Sequence, residues 1–211
     1  MKKYEMQLAL YDEKKAAEVA VFFLLRAQEW RKHISKLRLV KWMYLAERYS
    51  YKHFGEPLIG DRMISMEHGP VLSNTLYLME KPHKARIRTG VWEANVLTVK
   101  HRNSRRPYME LPENSAYRST DDLRSLSDAE IDVLEEVWAE YSRCSANELE
   151  TRLHDPAEFP EWKWNELSGN APIKVSELLP ILGWNQEDTA VAVARLEQLK
   201  GIEKAFDRVQ G

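Results

Sequence analysis

Glu67 and His68 stand side by side in the stretch EHGPVLSN, residues 67–74, and of all the residues in the chain they most resemble an acid–base pair. An imidazole titrates near neutrality and a carboxylate can fix its orientation, which is the equipment of a general acid or base. Adjacent residues rarely converge on one point, however, and no nucleophile signature accompanies these two, so the pair lacks the third role that catalysis requires. The six histidines could supply metal ligands, yet none falls in H-x-x-x-H, H-E-x-x-H or paired Cys/His spacing. Phosphate chemistry needs a glycine-rich cradle, and the eight glycines form neither a P-loop nor a dinucleotide fingerprint. No enzyme activity, metal or cofactor is therefore expected. Cys144, the single cysteine, excludes an internal disulfide framework and reads as a packing residue of a reducing compartment.

Polyanion binding is the other chemistry with residues to support it. From Lys81 to Arg106 there are eight Lys and Arg against one acid, whereas Glu113 to Glu150 holds eleven acids against three Arg. A basic hairpin beside helices would resemble the wing of a winged helix and bring Arg102, Arg105 and Arg106 against DNA phosphates. No helix carries the exposed Arg, Asn or Gln of a recognition helix, and 31 Lys and Arg against 33 Asp and Glu leave a net charge of -2. Nucleic acid is thus not the expected partner. The same hairpin reads equally as a segment docked on the chain's own acidic helix, or as an edge guarded against strand pairing.

The elements that must hold these groups are mostly helical. With 211 residues, 44% of them hydrophobic and 30% charged, the chain has the composition of a globular protein. Its patterning predicts a mainly α (α+β) fold: a compact helical domain with one small two-stranded β-hairpin. A first helix, DEKKAAEVAVFFLLRAQEW, has Asp12 as N-cap and a wide apolar stripe. Ser35 caps a second, KLRLVKWMYLAERYSYKHF, which Gly55 ends. The loop GEPLIGDRMISMEHGP follows, and Pro70, with its fixed φ, suits the first position of a short helix that Pro82 stops. ANVLTVK and PYMELP alternate around HRNSRR and give the hairpin, the one good β signal. Ser127 with Glu130 and Ser145 with Glu148 fit the reciprocal capping box and start two more helices. HDPAEFPEWKW reads as an irregular segment folded back on the core, and two terminal helices follow Gly169. Trp42, Trp92, Trp138, Trp162, Trp164 and Trp184 are chiefly core candidates, although aromatic anchors also dominate protein interfaces. No apolar run approaches a signal peptide or the roughly 20 residues of a membrane span, so a cytoplasmic protein without membrane association is expected.

Taken as one unit, KLRLVKWMYLAERYSYKHFGEPLIGDRMISMEHGPVLSNTLYLM resembles the Panacea-domain antitoxins, the SocA-like and GepA-like phage-associated proteins. The resemblance rests on Lys36, Leu37, Lys41, Tyr44, Ala46 and Tyr49 in one helix, on Gly55, Pro57 and Leu58 in the loop, and on Gly69 to Val71. Downstream, SLSDAEIDVLEEVWAEYSRCSANELETRLHD is similar to the family's second block, with a His lying near a Trp. The resemblance implies a Panacea-like domain over residues 1–165, with residues 166–211 a helical extension packed on it. It further implies an antitoxin that neutralises a neighbouring toxin by direct binding, in bacteria or their phages, without enzymatic activity. Alarmone-synthetase-like enzymes that block translation are among the toxins such domains face. A proteolytic adaptor that delivers the toxin to a Clp-type protease is the alternative, and a winged-helix-like DNA-binding regulator is another. The expected partner contacts are Asp61, Arg62, Glu67, His68, Gly69, Pro70 and Val71 in the loop, and Arg102, Arg105 and Arg106 in the hairpin.

Overall fold

The computed structural model describes residues 10–30, 33–100 and 107–210, and among these it is mainly helical, with two small antiparallel sheets. Helix α1 (Glu13–Glu29) begins where the Asp12 side chain accepts from the Lys15 amide at 3.0 Å. Ala16, Ala17, Val19, Ala20, Val21, Phe22 and Phe23 are fully buried, so the central turns of this helix are enclosed on every face and form the middle of the core. After strand β1 (Ile34–Ser35), Ser35 caps α2 (Lys36–Phe54) through the Arg38 amide. Gly55 closes α2 in the left-handed region, at φ 66, and the ring of Trp184 lies so close that a Cβ here would sit 2.7 Å from it.

Strands β2 (Met63–Ser65) and β3 (Val71–Leu72) lead into α3 (Ser73–Glu80). Helix α4 (Val91–Asn95) packs on α1 and precedes β4 (Leu97–Val99) and β5 (Tyr108–Glu110). Helices α5 (Asp128–Tyr141) and α6 (Ala146–Leu153) each start with a complete capping box, Ser127 with Glu130 and Ser145 with Glu148. Strand β6 (Ala171–Pro172) and helices α7 (Val175–Ile181) and α8 (Gln186–Gln210) end the chain. Leu178, Leu179 and Leu196 bury these last helices against the rest, while Trp184 Nε1 donates to the Lys52 carbonyl and Arg195 pairs with Glu56.

Two expectations need correction. Strands β4 and β5 of the expected hairpin pair antiparallel, with Thr98 opposite Met109, while HRNSRR between them lies outside the described residues; β1 joins the pair through Ile34 and Met109, and a second sheet exists in the order β3-β2-β6. Its strands are two or three residues long, too short to show alternation, and β6 pairs with β2 from a distant part of the chain through Ser65 and Ala171. Pro70 does not open a helix. Val71 and Leu72 are extended and pair with Ile64 and Met63, and α3 begins only at Ser73.

The acidic block from Glu113 to Glu150 finds its cations in the two central helices. Glu130 pairs with Lys15, Glu135 with Arg26, and Glu136 with Lys52 and His53. Buried carboxylates also hold loops: Glu13 accepts from the Thr89 and Trp92 amides, Glu18 from the Ser125 amide, and Glu47 from those of Ile59 and Gly60. No helix among the described residues is long and apolar enough to cross a membrane.

Candidate functional site

Lys41, Tyr44 and Arg48 recur at helical spacing on one face of α2, and the turn of residues 66–70 and the segment 154–162 pack against that face. Glu161 Oε1 accepts from the Tyr44 hydroxyl at 2.9 Å and from Arg48 Nε at 2.6 Å, and the Arg48 guanidinium lies 4.7 Å over the Phe159 ring. Burial, followed by the Glu161 carboxylate, pushes the Tyr44 hydroxyl well above its usual range. Lys41 is the unusual member. It is wholly inaccessible, and Nζ donates to the Pro70 carbonyl at 3.0 Å. Burial lowers its pKa to about 7, against the opposing pull of Glu150.

The turn itself closes with the Gly69 amide donating to the Met66 carbonyl at 3.0 Å. Gly69 stands at φ 87, and a Cβ there would lie 3.0 Å from Lys41 Nζ and 3.3 Å from His154 Nε2, so only glycine fits without displacing one of them. Side chains from two separate parts of the chain grip the turn's backbone. Trp162 Nε1 donates to the Met66 carbonyl at 2.8 Å, and Lys41 Nζ holds the Pro70 carbonyl. His154 stacks on Trp162 with ring centroids 4.1 Å apart, which fixes the orientation of the indole donor. Desolvation lowers the His154 pKa; Glu150 opposes the shift and the Lys41 and His68 charges add to it. His154 Nε2 and Glu161 Oε2 are buried with no hydrogen-bond partner among the described residues.

On this platform Glu67 and His68 stand exposed. The carboxylate that orients His68 is not the adjacent Glu67 but Glu150 of α6, at 2.8 Å from Nδ1, while 72% of the His68 side chain remains open to solvent. Gly69, Pro70 and Val71 are buried beneath. Asp61 is turned inward and acts as the cap of α3, accepting from the Asn74 amide at 3.0 Å and from the Thr75 amide and hydroxyl at 2.8 Å each. Arg62 is half-buried, and its carbonyl accepts from the Ser73 amide. Arg102, Arg105 and Arg106 lie outside the described residues. Among the described residues no group of three or more His, Cys, Asp and Glu side chains is placed to hold a metal. What the residue chemistry alone missed is the support: Glu150, His154 and Trp162, together with the depth of Lys41. A lysine inside an otherwise apolar helical stretch was the available signal.

The model of one protein family, antitoxin SocA-like, Panacea domain, matches residues 39–163. The chain belongs to this family. No curated protein and no solved structure matches it. The Panacea match takes in Lys41, the 66–70 turn, Glu150, His154, Glu161 and Trp162, so every residue of the grip described above falls within it. Helix α1 precedes it, and β6, α7 and α8 follow it.

Proposed function

We propose that this Panacea-domain protein acts in the cytoplasm as an antitoxin that neutralises a toxin encoded beside it, by binding the toxin directly through the Glu67–His68 turn. The observation that carries the reading is the grip on that turn by Trp162, on which His154 stacks, and by Lys41. A loop held at both ends presents its tip in one geometry, and a partner then pays little ordering entropy on docking. The tip offers an exposed carboxylate and an imidazole already aligned by Glu150, groups suited to recognising a charged partner. Residues 1–165 would form the neutralising unit, with 166–211 as an extension packed on it. An alarmone-synthetase-like toxin that blocks translation is one partner of the right class.

The test is co-expression with the product of the adjacent reading frame. Growth rescue together with co-purification is the expected result, and Glu67→Lys with His68→Ala should weaken the complex while leaving the melting temperature unchanged. Rescue with the toxin depleted and no stable complex would replace masking with delivery to a Clp-type protease. A neighbour that is harmless when expressed alone would overturn the assignment.

A further inference from the structure

Strands β2 and β6 are antiparallel, and Ser65 opposite Ala171 is their last pair. The 66–70 turn leaves β2 at that end, and the loop of residues 163–170 enters β6 at the same end. Two bonds tie the bases of the loops together: Trp162 Nε1 to the Met66 carbonyl, and the Lys163 amide to Ser65 Oγ at 3.1 Å. The second loop is itself a closed turn. Asn165 Oδ1 accepts from the amides of Leu167 and Ser168, and the Gly169 amide returns to the Asn165 carbonyl at 2.9 Å. At its apex Leu167 is completely exposed, with a relative accessibility of 101%. A lone surface leucine is ordinary. This one is held at the tip of a turn beside a second fixed tip, and half-buried Trp164 lies three residues before it. Neither Glu67 nor Glu166 makes an ion pair among the described residues, so both tips also carry uncompensated negative charge.

We infer that the Glu67–His68 turn and the Leu167 turn form one two-pronged docking face, which fits a protein partner bearing an apolar pocket for Leu167 flanked by Lys or Arg for the two carboxylates. This rests on the antitoxin reading and extends it. The family match ends at residue 163, so the apolar prong lies beyond the shared domain and is the part of the face free to set which toxin this chain accepts. Burial of a leucine that is otherwise fully in water supplies affinity, and the charges steer the approach.

The experiment is isothermal titration of the intact chain with the adjacent reading frame's product at low and moderate salt. Leu167→Asp should weaken binding about 10- to 100-fold with an unchanged melting temperature, the fold-change that loss of one buried leucine implies. Leu167→Met should bind as the parent does, and Glu67→Lys should flatten the salt dependence. Binding by the parent chain that Leu167→Asp leaves within twofold would overturn the two-pronged face while leaving the antitoxin reading intact. No binding by the parent chain would overturn that reading, and this inference with it.

Discussion

Replacing Lys41 by methionine separates what this residue costs the fold from what it does for the turn. Methionine keeps the length and most of the volume of the side chain but removes a charge that the interior does not solvate. With the folded pKa near 7 and the unfolded value near 10.5, the folded state binds fewer protons than the unfolded one throughout that window. Stability contributed by this group therefore rises as pH goes from about 7 to about 10.5, and it is lost as pH falls back through 7. At about 1.4 kcal/mol per unit, the parent should gain about 3 kcal/mol relative to Lys41→Met between pH 6 and pH 9. A pH-independent offset of about 1 kcal/mol for the lost Pro70 bond is superimposed on this. Urea unfolding of both proteins at the two pH values measures the difference directly, and groups common to both cancel. A gap between the two proteins that is the same at pH 6 and pH 9 would refute the buried, destabilised lysine. The same variant should bind its partner more weakly even where it is the more stable protein, because the Pro70 carbonyl is no longer held.

Gly69→Ala should destabilise the fold by about 1–3 kcal/mol, since φ 87 is unfavourable for alanine and its Cβ would press on Lys41 and His154; a melting curve reads this, and an unchanged midpoint would mean the turn yields. Asp61→Ala strands the Asn74 and Thr75 amides and should cost about 3 kcal/mol, with hydrogen exchange at those two amides speeding up before the rest of the helix. Glu161→Ala leaves the Arg48 guanidinium and the Tyr44 hydroxyl without their shared acceptor, an expected loss of about 3–5 kcal/mol, whereas Glu161→Gln should lose visibly less by denaturant titration.

The helices were legible because their signals are local. Asp12, Ser35 and the Ser127–Glu130 and Ser145–Glu148 boxes satisfy amides within three residues of themselves, and each starts a helix in the structure. The hairpin strands were legible too, through alternation. The β3-β2-β6 sheet was not, because two-residue strands have no period and β6 arrives about a hundred residues later. Pro70 has the chemistry of a helix start, but the actual cap of α3 is Asp61, twelve residues upstream of Ser73 and invisible to a local rule. The Glu67–His68 tip stood out by residue type, whereas its supports did not. A lysine or glutamate at helical spacing normally marks the solvated face, and only distant partners reveal that Lys41, Glu47, Glu13 and Glu18 point inward.

Those inward charges share a logic. Glu13, Glu18 and Glu47 project from the two central helices and bind amides of the segments packed against them, and Lys41 does the complementary job for a carbonyl. Burial raises Glu47 to about 8 as it lowers Lys41 to about 7. Stability from the glutamate is complete below its unfolded value near 4.5 and is lost as pH rises through 8, whereas stability from the lysine is lost as pH falls through 7. The two slopes have opposite sign and cancel near pH 7.5, where folding takes up nearly as many protons at Glu47 as it releases at Lys41. Near neutrality the pair thus contributes its least stability, yet small pH excursions leave that contribution flat. A core that accepts this cost at two buried positions gains two loops fixed in place, and one of them is the turn that carries Glu67 and His68.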